Sequence, residues 1–207
     1  LNDYGVNPRT FEGLRGVIFS PFIHGSLDHL YNNTIPLAIL MASLFYFYRK
    51  VALKTLLLGV LFSGLITWGI GRPSYHIGAS GVIYFLASFI FFKGIFTKYY
   101  RLVALSLMVV FIYGSLLWYI FPIKDGISWE GHLGGFIMGL VLAFLLKSPV
   151  PTSKKFAWEH DDYNEEEDEF LKHFDENGNF IERSEETPLE KGESIKFTYQ
   201  YKKNPEE

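Results

Sequence analysis

Five long apolar runs, separated by short polar or basic breaks, dominate the first 147 residues. They cover approximately residues 30–48, 51–70, 80–92, 102–121 and 132–146. A helix needs about 20 predominantly apolar residues to cross the hydrocarbon core of a bilayer. The pattern therefore predicts an all-α membrane protein with five spans, of which the third is the shortest.

Charge divides the chain into two parts that favour different surroundings. Residues 1–147 contain 11 Lys and Arg against 5 Asp and Glu, a net charge of +6, whereas residues 148–207 contain 8 against 17, a net charge of −9. Acidic, polar stretches of the second kind are typical of solvated tails. We therefore predict an outer loop region at residues 1–29, a transmembrane core at residues 30–147 and a soluble acidic tail at residues 148–207.

The orientation follows from Lys and Arg, which are more frequent in cytoplasmic loops. One side of the predicted spans carries nine of them: Arg49, Lys50, Lys54, Lys93, Lys98, Arg101, Lys147, Lys154 and Lys155. The other side carries four: Arg9, Arg15, Arg72 and Lys124. The first side and the tail are therefore predicted to be cytoplasmic, with residue 1 outside the cell. Five spans that begin outside lead us to expect a sixth helix upstream.

Small residues recur at every fourth position in two of the runs. The fifth run has Gly131, Gly135, Gly139 and Ala143, and the second has Gly59, Ser63, Thr67 and Gly71. Residues four apart share one face of a helix, and small side chains there let a neighbouring backbone come close. Such glycines are also ordinary in membrane helices, but the regular spacing predicts that the fifth run packs closely against the third.

The third run opens with Gly78-Ala79-Ser80-Gly81. A serine at a helix start lies near backbone N–H groups that lack intrahelical partners and can donate to a developing oxyanion. Gly78 and Gly81 let the backbone approach a ligand or a neighbouring helix. The same serine is also compatible with an ordinary helix N-cap, so this stretch alone does not define a site.

His132 opens the fifth run between Gly131 and Gly135. Ionisable side chains inside a membrane are costly and usually functional, and a neutral imidazole is a suitable general base. Tyr84, one turn after Ser80, is placed to pack against such an imidazole. The alternative is a structural histidine that bonds a loop carbonyl.

Carboxylates are absent from the five runs. Asp125 and Glu130 lie in the predicted outer loop, where we expect both to be solvated. A Ser–His–Asp triad therefore lacks its third member, and the simplest catalytic arrangement is a dyad of Ser80 and His132.

The candidate residues also share a depth in the bilayer. A helix rises about 1.5 Å per residue, and the hydrocarbon core is about 30 Å thick. Each of three residues lies about 20–24 Å from the basic residue that closes its run: Ser80 from Lys93, His132 from Lys147 and Asn33 from Arg49. Irregular backbone at residues 71–79 must descend to this depth, which is tolerated only beside protein or a water-filled cavity. We therefore expect a wet cavity with Ser80 at its floor.

His29 and Asn33 are four residues apart, on one face of the first run. They are candidates for side-chain donors to the oxyanion, or for a helix cap and a buried hydrogen bond. A metal is not expected, because His29 and Asn33 are a poor ligand pair and the chain has no Cys.

Three stretches on separate runs, taken together, resemble the rhomboid intramembrane serine proteases: His29 to Asn33, Gly78 to Gly81 and Gly131 to Gly135. The resemblance covers about residues 19–146. It implies a rhomboid-like helical bundle, a Ser80–His132 dyad, and oxyanion stabilisation by His29 and Asn33, with Gly78, Gly81, Tyr84, Gly131 and Gly135 supporting. Many relatives carry a Trp-Arg pair in a long first loop, whereas residues 1–20 contain no Trp.

The leading hypothesis is therefore a serine endopeptidase of the cell membrane, without a cofactor, whose active site opens to the outer side. Its expected partners are the lipid bilayer and membrane proteins with a transmembrane helix, and no nucleic acid. The alternative is a catalytically inactive rhomboid-like protein that binds membrane proteins. A transporter or channel is disfavoured, since the spans lack the carboxylates and the inverted repeats typical of that class.

The predicted orientation can be tested with single cysteines, because the native chain contains none. We expect a cysteine in place of Lys124 to react with a membrane-impermeant thiol reagent on intact cells, and one in place of His160 to react only after lysis. The reverse pattern would place the tail outside the cell.

Overall fold

The computed structural model describes residues 2–113, 118–147 and 156–181. The chain divides into two compact units, Leu1–Thr152 and Ser153–Glu207. The described residues form six α-helices and isolated bridges without a regular strand: α1 (Gly16–Phe19), α2 (Leu27–Phe47), α3 (Ala52–Ile70), α4 (Ser80–Phe96), α5 (Tyr100–Ile112) and α6 (Trp129–Leu145). The five long helices, α2 to α6, follow the five predicted runs in order, and the all-α prediction is confirmed.

The fourth run is the one whose predicted extent is wrong. It was expected to be helical over residues 102–121, but α5 ends at Ile112 and Trp118–Ile120 forms a separate 3-10 turn. The carbonyl of Tyr119 is bonded to a ring nitrogen of His132, at 2.8 Å. In a continuous α-helix that carbonyl would instead point along the helix axis towards the N–H four residues later.

Two helices, α2 and α3, are long and apolar enough to cross a membrane, and α4, α5 and α6 are shorter apolar helices. The distribution of exposed and buried side chains on α3 is the reverse of that on a helix of a soluble protein. Its exposed side chains include Leu53, Leu57 and Leu61, whereas its buried residues are small or hydroxylated: Ala52, Thr55, Gly59, Ser63 and Thr67. Leucine outside and small residues inside is the arrangement expected where lipid is the solvent.

Helix α4 lies at the centre of the first unit. It contacts α2, α3, α5 and α6, and the side chains of Phe85, Leu86, Phe89 and Ile90 are completely buried. The helix that begins at Ser80 is thus held by four neighbours.

The most extensive helix contact joins α4 to α6, as the spacing of small residues predicted. A Cβ atom added at Gly135 would lie 2.1 Å from the carbonyl oxygen of Gly81, and one at Gly139 would lie 2.5 Å from that of Phe85. Real side chains cannot occupy such positions without moving a backbone. The two glycines therefore allow the two helix backbones to touch.

Lys93 does not lie at a surface, as its use as a membrane-edge marker assumed. Its side chain is buried, and its ammonium group donates to the carbonyl oxygens of Ala143, at 3.1 Å, and Leu146. The last carbonyls of a helix have no intrahelical donor, and a cation is favourable beside them. Lys93 thus joins α4 to the carboxyl end of α6.

The segment before α2 braces the loop that leads into α4. Val6 and His76 form an isolated antiparallel bridge, with N···O distances of 2.9 and 2.8 Å. Further along, the N–H of Gly78 donates to the carbonyl of Ser20 at 2.9 Å. Backbone hydrogen bonds therefore support this side of the site without a tryptophan in residues 1–20.

The second unit is described over residues 156–181. Phe174 and Phe180 form an isolated bridge around a turn, and the Asp175 carboxylate accepts from the backbone N–H groups of Asn177 and Asn179.

The contact between α4 and α6 can be tested with one added methyl group. We expect Gly135→Ala to lower the melting temperature, because its Cβ would meet a backbone carbonyl. The free energy of unfolding should fall by about 1–3 kcal/mol, the usual scale for overpacking. Gly69→Ala in α3 is the matched control, since a Cβ there has nothing within 4 Å. Equal melting temperatures for the two purified variants would contradict the contact.

Candidate active site

Ser80 and His132 meet at the starts of two adjacent helices. The Oγ atom of Ser80 lies 2.8 Å from Nε2 of His132. Ser80 is the first residue of α4, whose N-cap is Ala79 and has no side-chain cap bond. Ser80 is therefore not the N-cap of its helix, and its hydroxyl is directed to the imidazole.

The second ring nitrogen determines the state of His132. Nδ1 lies 2.8 Å from the carbonyl oxygen of Tyr119. A carbonyl can only accept a hydrogen bond, so Nδ1 carries the proton and Nε2 is left to accept one from the Ser80 hydroxyl. The loop-carbonyl contact and the serine contact thus both exist, one for each ring nitrogen.

The ring of Tyr84 packs flat against this imidazole. The two centroids are 4.2 Å apart and the planes differ by 12°. His132 is itself buried. Stacking and the Tyr119 carbonyl together hold the ring in one orientation.

Gly78 lies between Ser80 and the other two predicted residues. Its φ of +106° falls where side chains are rarely tolerated, and a Cβ atom there would lie 2.7 Å from the His29 ring and 3.7 Å from Nδ2 of Asn33. His29 lies in the first turn of α2, which Ser26 caps. The structure therefore brings His29 and Asn33 beside the loop that leads to Ser80.

Asn33 is buried with its donor unused. Its Nδ2 atom has no hydrogen-bond partner among the residues that the structure describes. Buried polar atoms without a partner are rare and often mark a place that a ligand or water fills.

These residues line a cavity of about 1230 Å³. Its walls include Ser80, His132, His29 and Asn33, together with the loop residues Arg72, Ser74, Tyr75, His76 and Ile77. The cavity expected beside the loop at residues 71–79 is therefore present, and Ser80 lines it.

Comparison with known proteins agrees with this geometry. The sequence profile of the rhomboid domain matches residues 12–149. The chain belongs to the rhomboid family. Its members are integral membrane proteins, and the helical bundle described above is that of a rhomboid.

The curated relatives of this rhomboid carry no assigned activity. Uncharacterized proteins of Mycobacterium bovis and Mycobacterium tuberculosis are 38% identical over 163 residues, which cover 72% of this chain and 66% of theirs. One of Mycobacterium leprae is 34% identical over 163 residues, covering 72% and 62%. The chain thus spans less than two thirds of the length of these relatives. No solved structure matches it.

The remaining glycines lie where the two helices of the rhomboid site meet. A Cβ atom at Gly81 would lie 3.2 Å from the carbonyl oxygen of Gly131, and one at Gly131 would lie 2.9 Å from Oγ of Ser128. Gly135 meets α4 one turn further on. Gly81 and Gly135 leave room for the close approach that joins Ser80 to His132, whereas Gly131 leaves room for the side chain of Ser128.

The prediction that Glu130 is solvated is wrong. Its side chain is completely buried and forms an ion pair with Arg72, with Nε and Oε1 2.7 Å apart. The hydrogen bond to this carboxylate raises the pKa of Arg72 above its ordinary value. Sequence reasoning missed the pair because nothing in the spacing of two residues 58 apart indicates that they meet.

Metal ligands are scarce in the described residues. No three His, Asp or Glu side chains there lie close enough to hold a metal ion. The rings of His24 and His29 have centroids 5.0 Å apart, but two imidazoles without a third protein ligand do not make a catalytic zinc site.

Proposed function

We propose that this rhomboid is an intramembrane serine protease that hydrolyses peptide bonds in or near transmembrane segments of membrane proteins. The observation that carries the proposal is the 2.8 Å contact between Ser80 Oγ and His132 Nε2. An acceptor nitrogen at hydrogen-bond distance is what a serine needs to become a nucleophile.

In the proposed acylation, Ser80 Oγ attacks the carbonyl carbon of the scissile bond and its proton passes to His132 Nε2. The imidazolium then gives that proton to the leaving amine as the C–N bond breaks. The Tyr119 carbonyl, as the acceptor for Nδ1–H, keeps the ring in the tautomer that this transfer requires. It takes the orienting place that a carboxylate holds in a triad.

Two groups of donors are available for the oxyanion. The first is the set of N–H groups at the start of α4, which have no intrahelical acceptor and lie at the positive end of the helix dipole. The second is the unpartnered Nδ2 of Asn33, beside the His29 imidazole. We propose that His29 and Asn33 donate to the oxyanion as it forms.

The acyl-enzyme is released when water attacks its carbonyl carbon, with His132 accepting a proton from the water and returning one to Ser80. The cavity of about 1230 Å³ gives the water a route to Ser80. This route matters because α4 is packed against four other helices.

The setting of the reaction is also proposed. The site opens to the outer side of the cell membrane, and residues 148–207 are cytoplasmic, as the distribution of Lys and Arg favours. The substrates are membrane proteins with a transmembrane helix, reached within the lipid bilayer. The chemistry needs no cofactor, metal or nucleic acid.

A fluorophosphonate probe tests the dyad, because its phosphorus takes the place of the carbonyl carbon and its oxygen that of the oxyanion. We expect Ser80 to be labelled in the folded protein, Ser80→Ala to abolish labelling and cleavage of a single-span substrate, and His132→Ala to reduce both severely. Melting temperatures should be nearly unchanged. Mass spectrometry locates the adduct.

Ser74→Ala is the matched control, since Ser74 lines the same cavity and its loss should leave labelling intact. Continued cleavage by Ser80→Ala would refute the proposal. A folded wild-type protein that neither labels nor cleaves would instead support the inactive rhomboid-like alternative.

The oxyanion role predicts a loss of turnover in Asn33→Ala. We expect kcat to fall by about tenfold to a thousandfold, the usual scale for losing one such donor, with the fold retained. Asn32→Ala, an exposed amide one residue earlier, is the control. Unchanged kcat in a folded Asn33→Ala protein would make Asn33 a structural residue only.

A further inference from the structure

We propose that Glu130 and Arg72, with His76 and Ser128, form a clasp that positions Ser80 against His132. The inference rests on the proposed protease function, and it assigns these four residues to positioning rather than to contact with the reacting atoms.

The first half of the clasp is the ion pair. The Glu130 carboxylate accepts from the backbone N–H of Arg72 at 3.0 Å, from Nε at 2.7 Å and from Nη2 at 3.4 Å. Nη2 also donates to the carbonyl of Ile127 at 2.7 Å. A single carboxylate thus holds both the main chain and the guanidinium of Arg72, and ties them to the first turn of α6.

The second half is a chain of hydrogen bonds through His76, which is buried. Its Nε2 lies 3.1 Å from the carbonyl oxygen of Arg72, which can only accept a hydrogen bond, so Nε2 carries the proton. Its Nδ1 lies 2.5 Å from Oγ of Ser128 and accepts the hydrogen bond from that hydroxyl. The Oγ atom of Ser128 in turn accepts a hydrogen bond from the backbone N–H of Gly131, and this bond caps the start of α6. His76 therefore fastens the loop to the cap of the helix that carries His132.

The positions of these residues explain what the clasp does. Arg72 and His76 belong to the loop that ends at Ser80, whereas Ser128 and Glu130 directly precede His132. The bonds from Arg72 and His76 to residues 127–130 tie the loop to the start of α6, so they limit how far Ser80 and His132 can separate. A misplacement of about 1 Å at a catalytic group can cost about a hundredfold in rate.

Glu130 is not the missing acid of a triad. The nitrogen that such an acid would orient, Nδ1 of His132, is bonded to the Tyr119 carbonyl. A completely buried carboxylate is unfavourable unless its charge is paired and its oxygens accept hydrogen bonds. Glu130 meets that condition only while the loop is docked on α6, which is why it holds the loop there.

A double-mutant cycle in kcat tests the clasp as one device. We expect Glu130→Gln, which keeps the shape and loses the charge, and Arg72→Gln each to lower kcat and the fluorophosphonate labelling rate about tenfold to a hundredfold. The KM of Glu130→Gln should stay within about twofold, since Glu130 is buried away from substrate. The double variant should be no slower than the worse single variant, because residues that act as a unit are not additive. Arg72→Lys should restore part of the loss.

Arg15→Gln is the control and should match wild type, because the Arg15 guanidinium donates to the carbonyl of Asp3 and lies over the ring of Tyr4, outside the clasp. Three results would overturn the clasp. The first is a wild-type kcat in both single variants, and the second is a loss of kcat in the double variant equal to the product of the two single losses. The third is a lowered melting temperature with an unchanged kcat per folded molecule. Arg72→Gln keeps the test decisive if Glu130→Gln does not fold, since Arg72 is 46% exposed. Absence of cleavage in the wild type would refute the proposed function instead.

Discussion

The close contact between α4 and α6 is the constraint on which the rest of the structure depends. Lipid provides little hydrophobic force to bring two apolar helices together, so close packing and polar contacts must do so. Gly135 and Gly139 let the backbones touch, and Lys93 joins the other ends through the carbonyls of α6. Because Ser80 and His132 begin these same two helices, the packing that stabilises the bundle also sets the distance between them.

Several buried hydroxyls inside the bundle bond helix carbonyls, whereas a few buried polar atoms have no partner among the described residues. The hydroxyls of Thr67, Ser88 and Ser106 donate to helix carbonyls at 2.7–2.8 Å, which satisfies them where water is scarce. Among the described residues, Nδ2 of Asn33 is unpaired, as are the hydroxyls of Tyr48 and Thr55. Of these three residues, Asn33 lines the cavity. An unsatisfied donor beside a cavity is expensive in the resting protein and favourable when an anion forms there.

The sequence predicted the local features well and the distant ones poorly. Glycines flanking Ser80 and His132, and the four-residue spacing of small residues, report on one helix face and need no knowledge of the fold. The end of α5, the burial of Lys93 and the pairing of Arg72 with Glu130 depend on segments that meet only in three dimensions. A charged residue near a predicted membrane edge looks the same in sequence whether it faces water or is paired inside the protein.

The orientation of His132 by the Tyr119 carbonyl has a consequence for how this site varies. The orienting group belongs to the main chain, so replacing the side chain of residue 119 leaves the acceptor in place. Scanning by side-chain substitution would therefore not reveal the role of this acceptor, whereas it would reveal the role of a side-chain carboxylate in the same place. Replacing the acceptor itself requires chemical synthesis, for example a thioamide at that peptide unit.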